Sequence, residues 1–255
     1  MIPLAIVLIG FFAGLLGSML GVGGGFLIVP LLVLLLDIPM HLAVGISLTS
    51  VVMTSVSSSI IYSKENLIDF KLGIFLETAT AIGALTGSHI ALLVPENILE
   101  TIFGVVLIYA SFRMILSKRI KEEKKTLETL SKKRILLGLG GSFIAGMASG
   151  MLGIGGGTLK VPILVLLLGI ATKTAIATSA FMIGVTASVA SFVYQFHGLT
   201  DPLLVAFIII GIFIGVRVGS HITIKAKSIT LRRIFGIILF IFALRMLLKG
   251  IGVAV

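Results

Sequence analysis

The chain alternates long apolar stretches with short polar breaks. The apolar stretches run over 2–36, 42–62, 71–94, 97–117, 135–169, 174–194, 203–224 and 231–253. Each approaches or exceeds the ~20 residues that cross a bilayer as a helix. The first and fifth are too long for one crossing, and both are interrupted near the middle by glycine-rich runs, at 21–25 and 153–157. The pattern predicts an all-α polytopic membrane protein. One polar stretch, SKRIKEEKKTLETLSKKR at 117–134, divides the chain in half and reads as a solvated, partly helical linker.

The breaks recur at a fixed spacing. A shift of 132 residues aligns the two halves without a gap. AGLLGSMLGVGGGFLIVP (13–30) meets AGMASGMLGIGGGTLKVP (145–162), and GSHI at 87–90 meets GSHI at 219–222. Tyr62 meets Tyr194, Asp69 meets Asp201, and Arg113-Met114 meets Arg245-Met246. Shared apolar composition gives scattered leucine matches, not these motifs at one ungapped offset, so the chain is a duplication. The predicted units are 1–116 and 135–255, joined by the basic linker 117–134.

Charge then orients the halves. Eight of the twenty Lys and Arg residues lie in the linker, which places it on the cytoplasmic side. The loop at 94–97 has no basic residue, whereas its counterpart at 225–233 carries Lys225, Lys227, Arg232 and Arg233. Lys64 and Lys71 flank the loop at 63–71, while 195–203 has none. The turn at 37–41 has none, while 169–173 ends on Lys173. The bias changes sides in all three pairs, as expected of inverted-topology repeats. Arg245 and Lys249 run against it. With this orientation, 1–40 and 135–172 each begin and end on one side. Each repeat is therefore expected to be a glycine-tipped helical hairpin plus three transmembrane helices. The returning arm at 25–36 has 12 residues, about 18 Å of helix, so a tip inside the membrane is one option and a full crossing the other.

Composition narrows the function. Of 255 residues, 58% are hydrophobic and 12% charged, with a mean hydropathy of +1.24. Soluble domains carry about 25% charged residues, so no separate soluble catalytic domain is expected. The absence of cysteine excludes thiolate chemistry and disulfides. The net charge of +10 is assigned to cytoplasmic loops rather than to nucleic acid. The first twenty residues lack a basic flank and a small-residue cleavage site, and are expected to belong to the mature chain. No acid–base pair or nucleophile constellation points to an enzyme, and no cofactor or metal is expected.

Candidate chemistry centres on Gly23, Gly24 and Gly25 and their counterparts Gly155, Gly156 and Gly157. Backbone amides at membrane depth survive only inside protein or beside a watery cavity, and amides at a helix start attract anions. An anion site competes here with simple tight turning. Ser47, Thr49, Ser50, Thr178 and Ser179 are candidate donors to oxyanion oxygens, or small residues for helix packing. Lys160 stands three residues beyond its glycine triplet, placed to balance a divalent anion. Arg217 is the other basic residue inside an apolar span, with snorkelling to the surface as the alternative. In the first half Ile28 and Leu85 stand at those positions. Glu77 is read as a partner for a nearby lysine, or else as the carrier of a coupling proton. His89 and His221 are read as interfacial caps, Tyr62 and Tyr194 as an interfacial belt, and the G-x-x-x-G pairs Gly83/Gly87 and Gly215/Gly219 as packing faces.

The duplicated pattern G-x-G-G-G-x-x-x-x-P, as GVGGGFLIVP and GIGGGTLKVP, resembles the signature of the TauE/SafE sulfite exporter family, also called the 4-toluene sulfonate uptake permease family. The resemblance covers essentially the whole chain. It implies secondary transport, mostly outward, of sulfite, an organosulfonate or a related small-molecule anion. The expected setting is the lipid bilayer of a cell membrane, the inner or plasma membrane of a prokaryote, with a proton or sodium as a possible coupling ion. The cysteine relay of distant thiosulfate transporters has no counterpart here. An anion channel with the same site and no alternating access is the competing reading.

Overall fold

The computed structural model describes residues 2–116, 131–225 and 229–253. Most of the predicted linker, 117–130, lies outside the described residues. The described residues are helical throughout, with no strand among them. The helices are α1 (Ile2–Leu20), α2 (Gly25–Leu35), α3 (Met40–Lys64), α4 (Phe70–Leu93), α5 (Glu96–Ile115), α6 (Lys132–Leu152), α7 (Gly157–Pro162), α8 (Thr172–Phe196), α9 (Pro202–Lys225) and α10 (Ile229–Gly250). A π-helical turn, Ile163–Leu167, continues α7.

Among the described residues, five helices are long and apolar enough to cross a membrane: α1, α3, α6, α8 and α9. Helices α4, α5 and α10 have 24, 20 and 22 residues. Helix α2 has 11 residues, or about 16 Å at 1.5 Å per residue, and is too short to cross a core of about 30 Å.

Two glycine turns shape the bundle. Gly21, Gly23 and Gly24 have φ of 65°, 88° and 91°, and Gly153, Gly155 and Gly156 have 71°, 74° and 73°. Three left-handed residues within four positions leave little choice but glycine. Each turn reverses the chain from a long helix into a short one, α1 into α2 and α6 into α7.

The closest packing is between the sequence halves: α1 lies along α9, α6 along α4, α3 against α8 and α5 against α10. In lipid there is no hydrophobic drive for helices to associate, so close backbone approach at small residues carries the packing. A Cβ on Gly83 or Gly87 would run into the carbonyl oxygens of Phe143 and Met147; one on Gly215 or Gly219 would meet those of Phe11 and Leu15. The G-x-x-x-G packing faces are thus found where the spacing put them.

The helix ends sort into two groups. At one, His41 lies 3.2 Å from Glu96, Lys249 lies 3.9 Å from both Asp37 and Glu100, and Gly45 abuts Leu199 and Thr200. At the other, Lys173 Nζ donates to the Ile224 carbonyl at 2.8 Å, and Leu67 and Ile68 pack beside Ile176, Ala177 and Ile224. Lys249, which runs against the charge bias, is held by two carboxylates and by the Val33 carbonyl at 3.0 Å.

Tyr62 and Tyr194 correct the expectation of an interfacial belt. Both rings are buried. Their hydroxyls donate to the carbonyls of Ser18 at 2.7 Å and Gly150 at 3.0 Å, so each braces the helix that runs into its own glycine turn. A buried phenol needs such an acceptor. His89 and His221 each place Nδ1 on the carbonyl four residues back, Leu85 at 2.8 Å and Arg217 at 2.9 Å, and both are exposed.

Candidate functional site

The two glycine turns meet each other inside the bundle. A Cβ on Gly25 would strike the Gly153 carbonyl oxygen, and one on Gly157 would strike that of Gly21. Val51 and Ile183, equivalent positions on α3 and α8, both border Gly23 and Gly155. Every residue of both turns is buried.

Hydroxyls from the opposite half hold the turns. Ser47 on α3 donates to the Gly153 carbonyl at 2.8 Å, and Ser179 on α8 donates to the Gly21 carbonyl at 2.7 Å. Ser47 and Ser179 are equivalent, as are Gly21 and Gly153, so the contact is reciprocal in the manner of a two-fold interface. The physical cause is plain: a left-handed turn leaves carbonyls without helical partners, and buried carbonyls need donors.

The other sequence-selected hydroxyls are engaged locally. Thr49 donates to the Gly45 carbonyl at 2.9 Å and sits 2.8 Å from the Ser191 hydroxyl. Gln195 Nε2 donates to Ser191 at 2.6 Å and reaches Thr49 at 3.3 Å. Ser50 bonds the Ile46 carbonyl of its own helix at 2.8 Å. Thr178 accepts from the Asp69 backbone N–H at 3.0 Å, tying the start of α4 to α8. Arg217 is exposed on α9 and does not join the buried cluster.

Lys160 does join it, with a partner from another helix. It is 1% exposed, and Glu77 on α4 is 5% exposed. Lys160 Nζ donates to Glu77 Oε2 at 3.2 Å and also to the Thr186 hydroxyl. Thr186 in turn contacts Glu77 Oε1 and lies 3.0 Å from the Met182 carbonyl. The triad therefore joins α4, α7 and α8. It adjoins the second turn directly, since a Cβ on Gly156 would lie 3.4 Å from Lys160 Cε and 3.2 Å from Ser149 Cβ. Ser149 Oγ is buried with no hydrogen-bond partner among the described residues.

Glu77 pairs with a lysine, as one of its two sequence readings has it, whereas nothing in the sequence singles out Ser149. The signal for Glu77 was present: a lone acid inside a span, 83 residues from a lone buried lysine. Nothing in the spacing linked the two, because α4 and α7 meet only through the tertiary fold. Ser149 faces Gly17 in the repeat alignment, a departure easily lost among small residues.

The family described as Sulfite exporter TauE/SafE matches residues 6–246. This chain belongs to that family. Among the relatives of the TauE/SafE chain is a "Probable membrane transporter protein" of Haemophilus influenzae, 31% identical over 95% of this chain and 97% of its own. "Probable membrane transporter protein MJ0441" of Methanocaldococcus jannaschii is 30% identical over 93% of each chain. "Probable membrane transporter protein YunE" of Bacillus subtilis is 28% identical over 96% and 97%. No solved structure gives a significant match. This TauE/SafE protein is a multi-pass transporter of the cell membrane, acting on a small-molecule substrate and not as an enzyme.

Proposed function

We propose that the protein is a secondary transporter, working as an exporter, for a small sulfur-containing oxyanion such as sulfite or an organosulfonate. The anion binds near the bilayer midplane, at the amides of Gly23–Gly25 and Gly155–Gly157 with Lys160 alongside. One observation carries this reading: two glycine turns, each opening into a helix too short to cross, abut one another inside the bundle. Turns that touch cannot lie at opposite membrane surfaces, which supports placing both at membrane depth. There the first amides of α2 and α7 have no intrahelical acceptors.

In this reading 1–116 and 135–255 are inverted repeats around a cytoplasmic linker, 117–134. Supporting it, 37–45, 96–100 and 199–200 gather at one end of the bundle while 67–68, 173–177 and 224 gather at the other. Inverted repeats call for this separation of equivalent loops. Ser47 and Ser179 hold the turns in shape, while Thr49, Ser50 and Thr178 line the flanks of α3 and α8. Arg217 has no part in the site. Both turns are buried in this structure, so in this reading access to the site requires the helices around them to move.

Two measurements test the reading. Purified protein in liposomes is expected to show saturable counterflow of labelled sulfite or methanesulfonate; a flux that never saturates and follows voltage alone indicates a channel. In this cysteine-free chain, single cysteines at Glu96 and Gln195 are expected to react with an impermeant maleimide outside intact cells. Those at Glu123 and Ser228 are expected to be protected. Labelling of Glu96 and Ser228 positions from one side rules out the inversion.

A further inference from the structure

The bundle holds one buried ion pair among its described residues, and the proposed site does not account for the acid. Intramembrane charges are expensive to keep, and replacing a buried pair with apolar residues is often harmless to stability. At the repeat-equivalent positions that replacement is already present: those of Lys160, Glu77 and Thr186 are Ile28, Ile209 and Thr54. The fold therefore accommodates the equivalent positions without charges, and the charges beside the second turn call for a use.

We infer that Glu77 is a proton-binding site that couples anion movement to proton movement, by exchanging places with the substrate on Lys160. This rests on the anion-transport reading above. Three observations carry it. The Lys160 side chain lies against the second glycine turn, its Cε 3.4 Å from where a Cβ on Gly156 would stand. The Ser149 hydroxyl, fully buried and without a partner, stands at the same place and offers an oxyanion a donor. The Thr186 hydroxyl bridges the ammonium and the carboxylate, with the Met182 carbonyl 3.0 Å away as a second acceptor.

The exchange balances as follows. In the empty site the Lys160 ammonium neutralises the Glu77 carboxylate. An arriving monovalent oxyanion takes the ammonium and the Ser149 hydroxyl, and leaves the carboxylate unpaired in a dry interior. An unpaired buried charge is costly, so Glu77 takes a proton from the aqueous side on which the anion arrived. Thr186 turns its own proton to the Met182 carbonyl, freeing its oxygen for the new carboxyl proton. Release of the anion reverses each step and gives the proton up on the other side. The site is neutral before and after, so one proton accompanies each monovalent anion, the direction follows the two gradients together, and export is driven by an outward anion gradient.

Lys160 is the charged group facing Glu77. On α6 the titratable residues Lys132, Lys133 and Arg134 are exposed in the first turn. Helix α8 offers Lys173 at its exposed start and Tyr194 near its end, where the phenol is committed to Gly150. On α4 itself, Lys71 and His89 are exposed near the two ends. None of these lies beside Glu77.

The test uses the full chain in liposomes with labelled methanesulfonate and a trapped pH dye. Acidifying the outside by one pH unit is expected to drive about tenfold accumulation at one proton per anion. One proton should be counted per anion taken up, with no response to a potassium-valinomycin potential. Glu77→Gln is expected to lose the pH-driven accumulation and to make the flux respond to membrane potential. Anion uptake by the wild type without proton uptake overturns the inference, as does Glu77→Gln that still accumulates anion from a pH gradient. If Glu77→Gln fails to fold, the proton count on the wild type decides alone. A wild-type protein that moves neither sulfite nor methanesulfonate overturns the transport reading itself. Movement without proton coupling overturns only the role of Glu77.

Discussion

The two glycine turns share a backbone and differ in what surrounds them. Each is left-handed at three glycines, each receives a serine hydroxyl from the other half, and the helix leading into each is bonded by a tyrosine from α3 or α8. Around the first turn the equivalent positions are Ile28, Ile209 and Thr54. Ile28 is buried, and Thr54 is buried with no partner for its hydroxyl among the described residues. Around the second, Lys160, Glu77 and Thr186 form one hydrogen-bonded triad. Past the turn, α2 stays α-helical through Pro30 whereas α7 gives way after Pro162 to a π-helical turn. Duplication thus supplied a symmetric scaffold, and chemistry was placed on one side of it. A scaffold made of backbone contacts demands the same residues twice; a charge is needed only once.

The comparison can be broken most sharply at the triad. Glu77→Leu alone leaves a buried ammonium unpaired and is expected to destabilise the protein by about 3–5 kcal/mol. The double variant Lys160→Ile/Glu77→Ile gives the second turn the residues that stand at the equivalent positions around the first. It is expected to recover most of that loss while abolishing sulfonate binding. Thermal unfolding in detergent and equilibrium binding measure the two effects. A double variant as unstable as the single one means the pair is structural.

Next come the glycines that touch across the halves. Gly25→Ala and Gly157→Ala each drive a methyl into a carbonyl of the other turn, and are expected to cost about 1–3 kcal/mol or more by overpacking. One position sharpens the contrast. A Cβ at Gly24 falls 2.5 Å from the Ala13 carbonyl oxygen, but at Gly156 it falls 3.1 Å from that of Ala145. Both have positive φ, so the distance is the main difference. Gly24→Ala is expected to lower the thermal midpoint more than Gly156→Ala; the reverse order would show the second turn to be the tighter.

The smallest expected effect tests the symmetry itself. Ser47→Ala and Ser179→Ala each strip the donor from a buried turn carbonyl, a loss of about 1 kcal/mol. The two unfolding shifts are expected to agree within experimental error. A clear inequality would mean that one turn bears more of the stability than its twin.

Much of this was legible beforehand. The glycine turns, the exact equivalence of Ser47 with Ser179 and the G-x-x-x-G faces follow from residues that repeat at one offset, and steric demands on glycine are local. The partners were not. Ser47 bonds Gly153 rather than Gly21, and Ser179 bonds Gly21 rather than Gly153, because α1 packs on α9 and α6 on α4 across the halves. The expected roles of the hydroxyls as oxyanion donors could not anticipate that their protons are engaged with carbonyls in this structure. The tyrosines were misplaced for a related reason: hydropathy marks a phenol as amphipathic, but cannot say that an unpaired carbonyl waits for it inside.

By itself the sequence determined that this is a membrane protein, duplicated, with two glycine-broken hairpins and uneven charge. Composition, period and local steric rules are one-dimensional properties, and a single chain displays them. Only the tertiary structure decided that the two turns touch and that their carbonyls are held by the opposite half. It also decided that Glu77 reaches Lys160 through Thr186. Those contacts join residues 26 to 158 positions apart, and no periodicity within a helix encodes which distant helix will lie against it.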